Sequence, residues 1–344
     1  PPSIYVPPSV EDVLHVLLLT LSDPSTPVRW SSAKALGRVA ARLPPDCREE
    51  VLEAILEPVL TKRGTGVVGS NTVRARARDR DNTTPKAQPQ PPPPPLTITA
   101  PSVLHGTLLT LGELSRRFLL PPSYLPLVCS RIIAPSLFYE VRRGAATLGG
   151  HVRDAASYAC WALARAYETR VLRDGVDGGG GGVGKHLGVC MLLSSVFDRE
   201  VNCRRAASAA YQENVGRAGG GGGKLSGGGE GNGNGNGIDN SGMFPAGIQA
   251  VQTTDYFTLG SVKESYLGVV VRLGRLGGGV YAPALMSGIC RGKRVNSDAR
   301  TLGKLFHWDG GIRELGSKAL GRLVERERRF GVERVVGWLL GERG

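Results

Sequence analysis

The stretch with the most conspicuous chemical potential is a glycine tract ending in lysine. Gly179 to Lys185 reads G-G-G-G-V-G-K, the letters of a phosphate-cradling loop in which backbone N–H groups and a lysine hold a nucleotide. Such a loop needs Ser or Thr next, to reach Mg²⁺, and a strand before it. Here His186 follows, and Val171 to Asp177 holds no strand-like run. Any glycine tract that ends in lysine meets the pattern by composition. His15, His105, His151, His186 and His307 share no H-x-x-x-H spacing. The six cysteines (47, 129, 160, 190, 203 and 290) contain no C-x-x-C pair, so neither a zinc set nor a disulfide framework is implied. Most of them sit in apolar periodic segments, as small buried hydrophobes do. No serine occupies a G-x-S-x-G elbow, and acids stand singly on helical faces. The chain therefore reads as a non-enzyme, with no cofactor and no metal expected.

What does recur is an arginine. Val28-Arg29, Val152-Arg153, Cys203-Arg204 and Ile312-Arg313 open segments of one layout. Three residues on comes a small residue (Ser32, Ala156, Ala207, Gly316), and six on comes alanine (Ala35, Ala159, Ala210, Ala319). Seven on comes a larger, mostly apolar residue: Leu36, Cys160, Tyr211, Leu320. These positions share one helical stripe, and its small residues let helices approach closely. Asp23, Asp198 and Asp309 precede three of the segments, as N-cap and turn residues do. A regularly placed arginine could form a basic ladder on one face. The stronger reading is repeat stacking, with Arg29, Arg153, Arg204 and Arg313 bonding turn carbonyls or a neighbouring Asp.

Three tracts of the chain cannot pack a core. Residues 61–97 are Arg- and then Pro-rich, 174–185 mostly glycine, and 218–242 Gly- and Asn-rich; each suits a disordered linker. With these set aside, successive arginines fall about 40 residues apart, or twice that. Arg272, preceded by Val271, fits one missing unit, and Gly106 is a poorer marker for another. A period of this length built of paired helices is that of HEAT and armadillo repeats. The expected fold is thus all-α, a HEAT/armadillo-type α-solenoid of about six helical pairs with long disordered loop inserts. Repeats are placed at 1–60, 98–173, 186–217 and 243–344, with inserts at 61–97, 174–185 and 218–242. The hydrophobic fraction of 41% supports a core, since a wholly disordered chain is poorer in apolar residues. The longest apolar run, Val13 to Leu21, is interrupted by His15 and too short to span a membrane. With no initiator Met and no signal-peptide pattern, the chain reads as a segment of a longer cytosolic protein.

Several segments also resemble one family. VRWSSAKALGRVAARLP (28–44), VRDAASYACWALARAYE (152–168), FDREVNCRRAASAAYQENVGR (197–217), TTDYFTLGSVKESYL (253–267) and HWDGGIRELGSKAL (307–320) are similar to tubulin-folding cofactor D, the tubulin-specific chaperone D family. Family members are several times longer, and the Pro- and Gly-rich inserts depart from the family pattern. The resemblance implies a cytoplasmic helical-repeat chaperone that captures β-tubulin and joins tubulin-folding cofactors C and E to assemble the αβ dimer. It implies work with an Arf-like small GTPase, stimulation of tubulin's own GTP hydrolysis, and association with microtubules or the centrosome and basal body. The hydrolysis belongs to tubulin, so no catalytic residue is required here.

Four residues stand out as partner-contact candidates: Arg205, off the stacking register, Tyr256 and Phe257 in a loop, and Trp308. Met243 to Leu267 reads either as a loop capping the core or as a contact loop. The net charge of +13 is concentrated in Thr61 to Arg80 and Arg291 to Gly344. Such a surface favours acidic partners. The Arg74, Arg76, Arg78, Arg80 run lacks aromatics for base stacking, which leaves nucleic acid a weaker alternative than a generic HEAT adaptor.

Overall fold

The computed structural model describes residues 6–60, 100–143, 146–175, 182–220, 242–290 and 303–340. The insert expected at 61–97, with Arg74 to Arg80, lies outside the described residues, as do most of the two glycine tracts and residues 291–302.

Prolines open several helices, because a first-turn residue needs no N–H partner and proline's φ is already helical. Pro8 begins α1 (Pro8–Thr20), Pro27 is second in α2 (Thr26–Ala40), Pro45 begins α3 (Pro45–Leu60) and Pro101 begins α4 (Pro101–Ser115). Next come α5 (Leu125–Val128), a π-helical turn at Cys129–Ile133 and α6 (Ala134–Ser136), which run on as one rod. A hairpin of β1 (Val141–Arg143) and β2 (Ala146–Leu148) follows, antiparallel with Val141 opposite Leu148. These are the only strands among the described residues, and they interrupt a fold that is otherwise helical.

Then come α7 (Gly150–Ala166), α8 (Thr169–Asp174), α9 (Gly184–Phe197) and α10 (Val201–Gly220). The segment before the glycine tract is thus helical, and Lys185 lies in the first turn of α9. The chain ends with α11 (Gly247–Thr253), α12 (Val262–Glu264), α13 (Val270–Leu273), α14 (Ala282–Cys290), α15 (Gly310–Arg326), α16 (Arg328–Phe330) and α17 (Val336–Leu339). A π-helical turn, Ser265–Val269, joins α12 to α13.

Helices α2, α4, α7 and α10 lie side by side in one layer. α1 packs on α2, α3 on α4, α6 on α7 and α9 on α10, so successive pairs stack as an α-solenoid. The stripe predicted from the arginine register is the buried one: Ala156, Ala159, Ala207, Ala210, Ala319 and Leu36 are all at most 1% exposed. Helix α4, enclosed by its neighbours, is buried at every residue from Leu104 to Ser115. Its Gly106 permits the tightest approach, since a Cβ there would lie 2.0 Å from the Leu21 carbonyl oxygen. No helix among the described residues is long and apolar enough to cross a membrane.

Candidate partner-binding site

The recurring arginine is the fourth residue of α2, α7, α10 and α15. From there its guanidinium reaches back over the helix start. Arg29 Nη1 donates to the Asp23 and Pro24 carbonyls at 2.5 and 2.8 Å. Arg204 Nη1 donates to Asp198 and Arg199, both at 2.9 Å, and Arg313 Nη1 to His307 and Trp308 at 2.7 and 3.0 Å. In all three the acceptors are the residues six and five before the arginine. The Nε of the two buried ones points instead to the next unit: Arg29 Nε donates to His105 Nδ1 and Arg204 Nε to the Leu259 carbonyl, both at 2.8 Å.

Arg153 departs from this pattern because the hairpin precedes its helix. Nη1 donates to Tyr139 O at 2.8 Å, while Nε and Nη2 fork onto Asp198 at 2.6 and 3.2 Å. Asp198 Oδ1 also accepts the Glu200 N–H, as Asp23 accepts Ser25 and Asp309 accepts Gly311. Arg272, placed in register by spacing, behaves differently. It is exposed and lies 3.5 Å from Glu264, eight residues earlier, because it falls in the last turn of the rod 262–273, where the residues five and six before it are helical and offer no turn carbonyl.

Electrostatics follow from this burial. Burial, the Arg29 charge and His151 together lower His105 to about 3, so it accepts from Arg29 as a neutral ring. Burial alone would raise Glu140, but a hydrogen bond from His307 and the Lys304, His307 and Arg153 charges bring it down to about 2. Trp308 belongs to this cluster. Its Nε1 donates to Glu140 Oε1 at 3.4 Å, and the Arg199 guanidinium sits 4.9 Å from its ring centre. The candidate Trp308 is therefore half-buried and engaged within the chain.

The other three candidates come together. The Arg205 guanidinium lies 3.6 Å over the Tyr256 ring, and its Nε donates to Tyr256 O at 3.2 Å. Phe257 meets Tyr256 edge to face at 5.7 Å. Tyr256 is 58% and Phe257 86% exposed. The loop beneath is fixed: Asp255 Oδ1 accepts the Phe257 and Thr258 N–H groups at 2.8 and 3.0 Å. Those bonds hold the Asp255 carboxyl below its usual range. Ser208 of α10 donates to buried Thr254 O at 2.7 Å, and Arg204 holds Leu259 O. Met243 and Phe244, in contrast, are buried, with Phe244 edge-on to Tyr211 at 5.6 Å. The segment thus caps the core at one end and projects a preorganised aromatic pair at the other.

Sequence reasoning did not find His105 as the Arg29 acceptor, nor the half-buried Trp30, Tyr158 and Trp161. Both tryptophans lie within the segments quoted above, and their recurrence near the arginine was the available signal. All six cysteines are free thiols, and burial pushes Cys129 up to about 12 and Cys290 to about 11. Among the described residues no group of His, Cys, Asp and Glu could hold a metal ion.

Residues 2–68 and 97–222 match the family described as tubulin-specific chaperone D-like, ARM repeats. The chain is 30% identical over 303 residues to tubulin-specific chaperone D of Dictyostelium discoideum, covering 88% of this chain and 15% of that protein. It is 32% identical over 212 residues to tubulin-folding cofactor D of Schizosaccharomyces pombe, covering 60% of this chain and 16% of that protein. The chain thus spans well under a fifth of the length of these relatives. No solved structure matches. A match over more than half of its residues, on a fold of stacked helical pairs, places the chain in the tubulin-specific chaperone D-like family of armadillo-repeat proteins.

Proposed function

We propose that this chain is a scaffold segment of a tubulin-folding cofactor D, binding β-tubulin during assembly of the αβ heterodimer. The observation that carries the reading is the aromatic pair Tyr256 and Phe257, exposed on a loop locked by Asp255 and Arg204, in a chain of this family. Exposed aromatics on a rigid platform lose little conformational entropy on binding and are frequent interface anchors. Arg205, seated on Tyr256, adds a charge beside the pair. Arg29, Arg153, Arg204 and Arg313 act as stacking residues that keep the platform in register. Trp308 serves the same internal purpose through Glu140 and Arg199.

On this reading the segment works in the cytoplasm, together with tubulin-folding cofactors C and E and an Arf-like GTPase. It supports GTP hydrolysis by tubulin without supplying a catalytic group, and it acts at microtubules or the centrosome and basal body. The net charge of +13 suits an acidic protein surface and predicts salt-sensitive capture. The test is bead capture of purified tubulin by the tagged 344-residue chain across a salt series. Retention at low salt that fades as salt rises supports the reading, whereas no retention at low salt overturns it in favour of an adaptor for other proteins.

A further inference from the structure

Away from Tyr256 and Phe257, three aromatic rings on α2 and α7 are faced by cations that α2, α4, α7 and α10 supply in turn. Trp30 of α2 meets Tyr158 of α7 edge to face at 5.3 Å, and Tyr158 stacks on Trp161 at 6.0 Å. Helix α4 passes beneath. Its Gly112 leaves the space that Tyr158 fills, since a Cβ there would come within 2.5 Å of the ring. The Tyr158 hydroxyl donates to buried Glu113 at 2.7 Å, and Arg117 pairs with the same carboxylate. Each tryptophan carries a cation over its ring: Lys34 lies 5.4 Å from Trp30, and Arg165 and Arg116 lie 4.8 and 5.7 Å from Trp161. Further along, Arg165 and Arg217 share the single carboxylate of Glu213, at 3.1 and 2.6 Å. They line an open groove of about 750 Å³ at the ends of α7 and α10, where Arg170 joins them.

We propose that this cation-faced aromatic ladder, with the groove at its end, docks an acidic, extended polypeptide segment of a partner protein. Three observations select that chemistry. The surface keeps an excess of cations: Glu113 is buried against Tyr158 and shared by Arg116 and Arg117, and Glu213 must serve both Arg165 and Arg217. Glu168 in the groove pairs with Arg170, and Lys34 adds a further charge. Arg116, Arg165 and Arg217 stay nearly half exposed. A guanidinium laid on an aromatic ring keeps its in-plane N–H groups free to fork onto a carboxylate. Finally, the cations recur on successive helices of the layer, and packed helix axes lie about 8–10 Å apart, a spacing that carboxylates along an extended strand can follow. Nucleic acid fits less well. Trp161 already carries two cations and stacks on Tyr158, and Trp30 carries Lys34, which leaves less ring face for base stacking. The surface is separate from the aromatic pair, and its partner need not be tubulin.

The test is fluorescence anisotropy of a fluorescein-labelled glutamate dodecapeptide titrated with the full chain, at low and at physiological salt. The wild-type chain binds at low salt and weakens as salt rises. Arg165→Glu with Arg217→Glu weakens binding about tenfold or more, and Arg165→Lys, which keeps charge but loses the fork, falls between. Reversing Arg328 and Arg329 on α16 to Glu leaves binding unchanged. Circular dichroism confirms that each variant keeps its helix content. Absence of peptide binding by the wild type at low salt overturns the proposal, and so does equal loss in the α16 variant. Tighter binding of an oligothymidylate of equal length, lost in the same Arg165 and Arg217 variant, would make this a nucleic-acid surface instead.

Discussion

The Arg153 guanidinium and the Asp198 carboxylate, 45 residues apart in the chain, meet as a buried two-point ion pair, Nε to Oδ2 at 2.6 Å and Nη2 to Oδ1 at 3.2 Å. Burial alone would lower the Arg153 pKa, and Asp198 raises it above the ordinary value. The pair joins the start of α7 to the turn before α10, and the Asp198 carbonyl in turn accepts from Arg204. One aspartate thus links two successive stacking arginines.

Breaking this pair leaves an uncompensated buried charge. Asp198→Asn is expected to cost about 3–5 kcal/mol, read as a drop in the urea midpoint. Replacing both residues by apolar ones, Arg153→Met with Asp198→Leu, should recover most of that loss. The remainder reflects the lost Asp198 cap on Glu200 N–H, about 1 kcal/mol, and the Tyr139 carbonyl left without its Arg153 donor. Asp198→Asn keeps an oxygen for that N–H, so a double variant no better than Asp198→Asn would show that uncompensated charge is not the source of the loss.

His105 gives the fold a pH dependence. Its folded pKa of about 3 lies below the ordinary 6.5, so the folded state takes up the proton less readily than the unfolded chain. Its contribution is therefore complete above pH 6.5 and is lost as pH falls towards 3, at about 1.4 kcal/mol per pH unit. His105→Gln keeps an acceptor for Arg29 without titrating. Urea midpoints measured in mildly acidic and in neutral buffer should differ less in this variant than in the wild type.

Gly106 sets the distance between α4 and the α1–α2 corner. Gly106→Ala would drive a methyl group against the Leu21 carbonyl, and backbone cannot yield as a flexible side chain can. A loss of about 1–3 kcal/mol or more is expected from such overpacking. Gly216→Ala, with nothing within 4 Å of its Cβ position, is the matched control and should be neutral or slightly stabilising. Thermal melts of the two variants, side by side, decide this.

Tyr256 and Phe257 are exposed, so their removal separates binding from folding. Tyr256→Ser with Phe257→Ser should change stability by no more than about 0.5 kcal/mol. The same variant should weaken tubulin capture by about tenfold or more, the usual effect of removing an aromatic anchor. Unchanged capture would move the contact elsewhere on the solenoid.

The arginine register, the small-residue stripe and the Asp turns were legible in the sequence because they are local. Arg29, Arg204 and Arg313 bond carbonyls five and six residues back, a reach fixed by helix and turn geometry wherever the unit sits. Burial of the stripe follows from helical period in the same way. Arg272 shows the limit of spacing, since the count places it in register while the helix boundaries put it at the end of a helical rod and not in the first turn.

Which unit stacks where, and so which atom meets each Nε, was decided only by the tertiary structure. Nothing in the wording marks His105 as the acceptor for Arg29, 76 residues away, or brings Trp30 against Tyr158. Those contacts depend on the rotation and offset between neighbouring helices, which are set by summed packing over the whole layer. Between them stand inserts of varied length that erase fixed spacing at little energetic cost. The sequence by itself determined a helical-repeat protein with arginine-led units; packing between units selected the surfaces it presents.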